Sequence, residues 1–425
     1  MKVLLDTVGC RLNQSEIEYM ARQFLAAGHT LTDDPGQADC VVINSCAVTN
    51  QAVVDSRKKA RQAARAGAKQ VVVTGCWATL NPQEVLAMGQ VNRAVSNADK
   101  LSLVPRLLGV NEEVLNTREV ARRPLPGRHF RTRAFIRAQD GCENFCTFCI
   151  TRVARGKAVS VPAEHVMADI RAALESGARE IVLSGVNLGF WGRDLQPPRR
   201  LVDLIEMAAN LNPGRLRLSS LEPWDMDEGI IRLMAEGRLC RHLHLPLQSG
   251  SAQILRRMGR RITTEEYTRW VDKIRAACPQ VALTTDIMVG FPGESLELFE
   301  ESLDFVRRMN FAAGHVFVFS PRPGTPAAGF PGVLTGDVGK LRSQQMRAVL
   351  AESSRRYRES FVGQEVKVLW ESVKPEGEGN WQLRGLTDNY LQVSAAGGRA
   401  MWNEFSLVKI TGLNRDGLNG QIVAE

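Results

Sequence analysis

Three apolar runs near the start of the chain each end in a cysteine: "VLLDTVGC" at Cys10, "CVVINSC" at Cys46 and "VVVTGC" at Cys76. Short runs this rich in β-branched residues read as strands buried on both faces, as in a parallel sheet covered by helices. Helical patterns follow each run, in "SEIEYMARQFLAAG", "NQAVVDSRKKARQAARAG" and "NPQEVLAMG". The alternation predicts an α/β domain over residues 1–117. Its first helix is expected to open at Asn13, with Glu16 three residues on completing a capping box, and to stop at Gly28. Loops beyond the carboxyl ends of parallel strands converge on one crevice, so Cys10, Cys46 and Cys76 should meet there. A lone buried cysteine is usually a small hydrophobe; three at one structural position point to a shared metal site.

Strand and helix signals resume over residues 134–350, with strands near "AFIRAQ", "EIVLSGV", "LRLSSL", "HLHLPLQ", "ALTTDIMVG" and "HVFVFS". Six β/α units suggest a partial (β/α)6 barrel, whose active residues sit at the C-terminal ends of its strands. From residue 361 to 425 the pattern changes to short strands with Gly and Asn turns, which reads as a small antiparallel β-barrel.

At 425 residues the chain is long enough for two or three domains. No apolar run approaches the ~20 residues of a membrane helix, and "MKVLLDTVG" is interrupted by Asp6 too early for a signal sequence, so a cytoplasmic location is expected. In that compartment nine cysteines, an odd number, favour metal or redox chemistry over a disulfide framework. The net charge of +8 suggests a polyanionic partner, nucleic acid first, against the plainer reading of a basic enzyme. Seven arginines against one acid lie between Arg118 and Arg137, and Pro124 and Pro126-Gly127 mark residues 118–133 as a basic linker. Arg128, Arg131 and Arg133 are the RNA-binding candidates there. The cluster "RRMGRR", Arg256 to Arg261, is expected on a solvated helix end.

The most specific motif is "GCENFCTFC", with Cys142, Cys146 and Cys149 spaced C-x3-C-x2-C after the first barrel strand. Thiolates ligate iron–sulfur clusters, and three of them leave one iron of a four-iron cluster open. Zinc is the competing metal, but a structural zinc site takes four protein ligands and no nearby Cys or His supplies the fourth.

This spacing, with Phe148 before the last cysteine, resembles the radical S-adenosylmethionine (SAM) superfamily. The resemblance implies that the open iron binds SAM, whose reductive cleavage gives a radical able to attack an unactivated C–H bond. Three N-terminal cysteines, a radical SAM barrel and a terminal β-barrel of the TRAM type together resemble the methylthiotransferases nearly end to end. "RLSSLEP", "HLPLQSGS", "DIMVGFPGE" and "SPRPGTPA" look like that family's barrel motifs, in its order. The resemblance implies a second [4Fe-4S] cluster on Cys10, Cys46 and Cys76 carrying the sulfur to be inserted, with a sulfur donor to load it. It also implies a reducing electron donor of the flavodoxin or ferredoxin kind and tRNA as partner. The SAM contacts it implies are Phe148, Ser184, Gly185, Asn187, Glu222, Gln248, Gly290, Pro292 and Gly293. Val159-Ser160 stands where the family usually carries Arg-Ser, and Asn187 where many relatives carry His.

Each of these residues also has a plainer reading. Glu222 and Gln248 would then cap helices, "GFPGE" would be a tight turn, and His244 a satisfied core histidine. The terminal barrel is slightly acidic, with six Lys and Arg against eight Asp and Glu from Phe361 onward. It would therefore grip RNA by a local basic patch or by stacking on Trp370, Trp381, Tyr390 or Trp402, unless these form its core. "VGCRLNQSE" and "GLTDNY" look most like the branch acting on N6-threonylcarbamoyladenosine beside the anticodon. Isopentenyladenosine and a ribosomal-protein aspartate are the near alternatives, and a non-catalytic iron–sulfur RNA-binding redox sensor is the alternative of a different class.

Overall fold

The computed structural model describes residues 1–111, 115, 132–377 and 379–424. Two compact units emerge: Met1–Asn144 with Ile150–Asn187 and Trp191–Arg199, and Phe145–Cys149 with Leu188–Phe190 and Arg200–Glu425.

The first unit begins with β1 (Lys2–Thr7), α1 (Arg11–Ala26), β2 (Thr30–Leu31), β3 (Cys40–Ser45), α2 (Asn50–Arg65) and β4 (Gln70–Gly75). The helices α3 (Cys76–Leu80) and α4 (Pro82–Leu86), strand β5 (Arg93–Val95) and helix α5 (Leu103–Leu108) follow. The strands form one parallel sheet in the order β2-β1-β3-β4-β5. Chain order reverses between β1 and β3, and such a switch point opens a crevice beyond the strand ends. Alternate residues of the central strands bury on opposite faces. Val41, Ile43, Val71 and Val73 join one apolar cluster, Cys40, Val42 and Val72 the other. That two-sided burial is why the sequence shows continuous apolar runs rather than alternation.

The same unit holds β6 (Arg133–Arg137), β7 (Gln139–Asp140), α6 (Thr151–Arg155), β8 (Val159–Ser160), α7 (Ala163–Glu175) and β9 (Glu180–Ser184), with β6 and β9 paired in parallel. Arg133 opens β6 with its guanidinium 6.0 Å from the Phe135 ring. Arg128 and Arg131 lie outside the described residues.

The second unit continues with α8 (Leu201–Ala209), β10 (Arg215–Leu218), α9 (Glu228–Ala235), β11 (His242–His244), α10 (Ala252–Arg257) and α11 (Thr264–Ala277). Then come β12 (Ala282–Val289), α12 (Leu296–Met309), β13 (Ala313–Val318) and α13 (Gly336–Glu359). Strands β11, β12 and β13 pair in parallel. All six strands expected for a partial (β/α)6 barrel are thus present, two in the first unit and four in the second.

The chain ends in a closed barrel of β14 (Glu365–Pro375), β15 (Trp381–Thr387), β16 (Gln392–Gly397), β17 (Phe405–Leu413) and β18 (Leu418–Ala424). It is antiparallel as expected except where β16 meets β18 in parallel. Five strands cannot close with every neighbour antiparallel, because an odd ring must contain a parallel pair.

The barrel is tied to the strands before it by arginines. Arg215 donates to the carbonyls of Leu386 (2.7 Å) and Lys367 (2.6 Å), and Arg217 to that of Asp388 (2.8 Å). Arg241 holds the Asp388 carboxylate through both oxygens, at 2.7 and 2.9 Å. Tyr390 stacks on His242 with ring centroids 4.8 Å apart. "GLTDNY" is therefore a packing seam within this unit.

Candidate functional site

The three N-terminal thiols stand where the sheet delivers them. Cys10 is the residue before α1, Cys46 follows β3, and Cys76 is the first residue of α3. Cys10 and Cys46 flank the switch point, and Cys76 adjoins it from β4. Two glycines make this convergence possible. Gly9 has φ +105°, and a Cβ there would come within 2.5 Å of the Cys46 Cβ; Gly75 has φ +95°, and its Cβ would meet the Ser45 carbonyl oxygen at 2.2 Å. No side chain fits at either position, and positive φ is open to glycine without strain.

The cysteines sit on a buried polar frame. The helix α1 starts at Arg11, and its N-cap is Cys10, three residues before the Asn13 of the capping-box reading, with no side-chain cap. Asn13 and Glu16 are thereby turned inward. Asn13 Nδ2 donates to the Val8 (2.8 Å) and Ser45 (3.0 Å) carbonyls, tying the β1 end to the β3 end, and its Oδ1 accepts from the Cys10 thiol at 3.6 Å. Glu16 is fully enclosed. It accepts from Lys100 Nζ (2.7 Å), Asn44 Nδ2 (2.9 Å) and Arg155 Nη1 (2.9 Å). Arg155 also donates to Asn13 Oδ1 (2.6 Å) and Asp140 Oδ1 (2.8 Å). Asn97 Nδ2 reaches Cys76 Sγ at 3.6 Å and the Ala154 carbonyl at 2.7 Å. Cys46 is held by its own N–H donating to Ser56 Oγ of α2 at 3.2 Å.

Burial would raise the Glu16 carboxyl, but Lys100 and Arg155 outweigh it and hold the group ionised, well below the usual carboxylate range. Burial pushes the Cys46 thiol up to about 11, the neighbouring Cys10 and Cys76 thiols add to that, and Arg155 opposes it. The three sulfurs therefore lie within electrostatic reach of one another. Soft thiols are the donors iron–sulfur clusters take, and a metal would compensate the cost of ionising them. Among the described residues no three His, Cys, Asp or Glu groups converge tightly enough to grip a single ion.

The C-x3-C-x2-C run is divided, Cys142 in the first unit and Cys146 and Cys149 in the second. The Cys142 N–H donates to the Gly156 carbonyl at 3.1 Å. Arg260 meets Cys146 Sγ at 3.7 Å, pairs with Glu222 Oε2 at 2.8 Å, and donates to the Pro246 carbonyl. Burial raises the Cys146 thiol to about 11, with Arg260 opposing. Arg260 is buried, not on a solvated helix end, because the chain turns inward after α10 at Gly259. Sequence reading missed this residue and the role of Arg155.

The remaining expected SAM contacts lie near strand ends. Ser184 closes β9; Asn187 is buried, its N–H donates to Gln139 Oε1 (2.8 Å), and its side-chain oxygen has no partner. A buried acceptor left open fits an ammonium donor. Gln248 has φ +74°, uncommon outside glycine and typical of functional sites, and its N–H and carbonyl are both bonded to β12. The Gly290–Gly293 loop wraps Glu294, whose Oε2 accepts from the Gly290 N–H and from Arg342, both at 2.7 Å. Phe148 packs edge-on to Phe291, ring centroids 6.4 Å apart. His244 contacts Thr284 Oγ1 (2.9 Å) and Asp286 (3.3 Å), a satisfied histidine. Trp370 is fully buried in the terminal barrel, with Trp381 packed against the same cluster.

Residues 136–306 match the Radical SAM superfamily, and residues 2–96 match Uncharacterized protein family UPF0004. The threonylcarbamoyladenosine tRNA methylthiotransferase MtaB of Thermotoga maritima is 35% identical, with 98% of this chain and 96% of that one covered. The Bacillus subtilis protein of the same name is 33% identical, with 96% and 93% covered. A tRNA-2-methylthio-N(6)-dimethylallyladenosine synthase of Cereibacter sphaeroides is also 35% identical, with 99% and 98% covered. The solved radical SAM methyltransferase TsrM of Kitasatospora setae shares the fold, with a TM-score of 0.60 at 15% identity over 77% of this chain and 75% of that one.

Proposed function

The chain belongs to the radical SAM methylthiotransferase family, and from that membership we propose that it converts N6-threonylcarbamoyladenosine beside the anticodon of tRNA to its 2-methylthio derivative. It is a transferase that uses SAM and iron–sulfur chemistry. The observation that carries the fuller reading is the convergence of Cys10, Cys46 and Cys76 at adjacent strand ends, over a frame centred on Arg155.

In this reading Cys142, Cys146 and Cys149 would hold one [4Fe-4S] cluster and Cys10, Cys46 and Cys76 a second. Those groups, with SAM, supply one-electron reduction and the sulfur for insertion at carbon. The protein's own residues position and insulate. Asn187 offers its open side-chain oxygen to the SAM ammonium, and Glu222, held by Arg260, presents a fixed carboxylate near Cys146. Gly290 and Gly293 allow close backbone approach. Asn13 and Asn97 orient two of the N-terminal thiolates, and Arg155 offsets their charge. A flavodoxin-like or ferredoxin-like donor would supply the electrons, and a separate sulfur donor would reload the N-terminal site.

The test gives reduced enzyme and SAM anticodon stem-loops carrying either threonylcarbamoyladenosine or isopentenyladenosine. Methylthiolation of the first supports the assignment. Action on the second alone moves the chain to the branch of the Cereibacter sphaeroides relative, and action on a ribosomal protein instead removes the RNA reading. Changing Cys10, Cys46 and Cys76 to Ala should stop methylthiolation while reductive SAM cleavage persists. Changing Cys142, Cys146 or Cys149 should stop both.

A further inference from the structure

The second unit carries an open cleft of about 310 Å3 that the reaction described above does not use. Trp224, Trp270, Arg261, Arg269, Lys273 and Glu266 line it. A volume at the low end of ligand sites, which run from roughly 300 to 1,000 Å3, suits one nucleotide. We propose that this cleft receives a nucleotide of the tRNA anticodon loop, its base against the tryptophans and its phosphate against Arg261 and Arg269. The proposal rests on tRNA being the substrate and adds where the flanking RNA docks.

Three observations carry it. The first is chemistry: two indoles interleaved with cations form a stacking platform with phosphate neutralisation, the combination single-stranded RNA takes. Arg261 and Arg269 are exposed, and neither makes an ion pair among the described residues. Lys273 is held by Glu228 at 2.7 Å and lies 5.5 Å from the Trp270 ring centroid, which braces that indole. The one acid in the lining, Glu266, is engaged at the start of α11, accepting from the Thr263 N–H at 2.9 Å.

The second is position. The Arg260 guanidinium lies 4.4 Å from the Trp224 ring centroid, and the same side chain pairs with Glu222 and meets Cys146. The cleft wall is thus one side chain away from a cysteine of the C-x3-C-x2-C run, close enough for a neighbour of the reacting nucleotide. The third is the weakness of the competing surface. In the terminal barrel Trp370 is buried and Tyr390 is stacked on His242, and the barrel's composition is acidic.

The test measures binding of a fluorescein-labelled anticodon stem-loop to the reconstituted full chain across a salt series, for wild type, Arg261→Ala/Arg269→Ala, Trp270→Ala and Trp270→Phe. Iron content and circular dichroism check that each variant is folded. The arginine double variant should bind about tenfold more weakly, with a salt slope lower by about 0.7, the value for one single-strand phosphate. Trp270→Ala should also lose about tenfold, while Trp270→Phe, which keeps a stacking ring, retains most of the affinity. Wild-type affinity and salt slope in all three folded variants would overturn the cleft assignment and leave the tRNA reading standing. A wild-type protein that binds no stem-loop would overturn both.

Discussion

Arg155 and Glu16, 139 residues apart in sequence, form an ion pair at 2.9 Å inside the first unit, directly beneath the N-terminal thiols. Each has further partners, so the pair is the centre of a network. Breaking a buried pair by removing one partner leaves an uncompensated charge and costs about 3–5 kcal/mol. Arg155→Ala should therefore lower the unfolding free energy read from urea denaturation by that order. The same variant should retain about four irons per chain after anaerobic reconstitution, where wild type, with both proposed clusters, should hold about eight. Arg155→Lys keeps the charge but not the planar fork and should fall between. Full iron in Arg155→Ala would show that the network does not support the cysteines.

Gly75→Ala probes the convergence of the strand ends. Its new methyl would stand 2.2 Å from the Ser45 carbonyl oxygen, at a φ that alanine resists. The cost should exceed about 1 kcal/mol, and the displaced Cys46 or Cys76 should reduce cluster retention. Absorption near the iron–sulfur charge-transfer bands, set against the denaturation midpoint, separates the two effects. A variant with wild-type values of both would mean that the loops adjust freely.

Asp388 should give the second unit an acid-sensitive stability. Burial would raise its carboxyl, but hydrogen bonds from Arg241 outweigh that and hold it below the usual value. A depressed folded value means the stabilisation is complete above the unfolded value near ~3.9. It is lost as pH falls through the folded value. Denaturation midpoints should thus decline toward acid, and Asp388→Asn should have a lower midpoint at neutral pH and a flatter acid limb. An unchanged limb would assign acid sensitivity to other groups.

Trp370→Ala distinguishes a core residue from an RNA platform. The indole is fully buried and donates to Ser406 Oγ at 2.9 Å. Removal should cost about 3–5 kcal/mol, read from urea unfolding, with stem-loop affinity unchanged at a temperature where the variant is folded. Undiminished stability with lost affinity would return the stacking role to this barrel.

What the sequence disclosed followed from period and spacing. The apolar runs placed β1, β3 and β4, and with them the ends on which Cys10, Cys46 and Cys76 stand, because burial on both faces leaves a continuous signature. The helix start was misread for a physical reason. Asn13 and Glu16 have capping chemistry, but their side chains serve Ser45, Arg155 and Lys100, partners that only tertiary structure supplies. Arg260 was hidden similarly, since a run of arginines carries no mark of which one turns inward. The aromatic residues of the last barrel were ambiguous because a stacking surface and a small core draw on the same side chains.

The carbonyls that accept from Arg215 and Arg217 belong to the last barrel, while the guanidiniums belong to β10. Both arginines are buried. Opening the barrel alone would break these hydrogen bonds and pull Phe405 off Arg215 and Tyr390 off Arg217, so its local unfolding free energy is coupled to that of the strands it covers. The last 65 residues are thus not a detachable module. The second unit should lose its structure in one cooperative step, and a chain shortened at residue 360 would expose the missing acceptors as a folding defect before any loss of RNA contact.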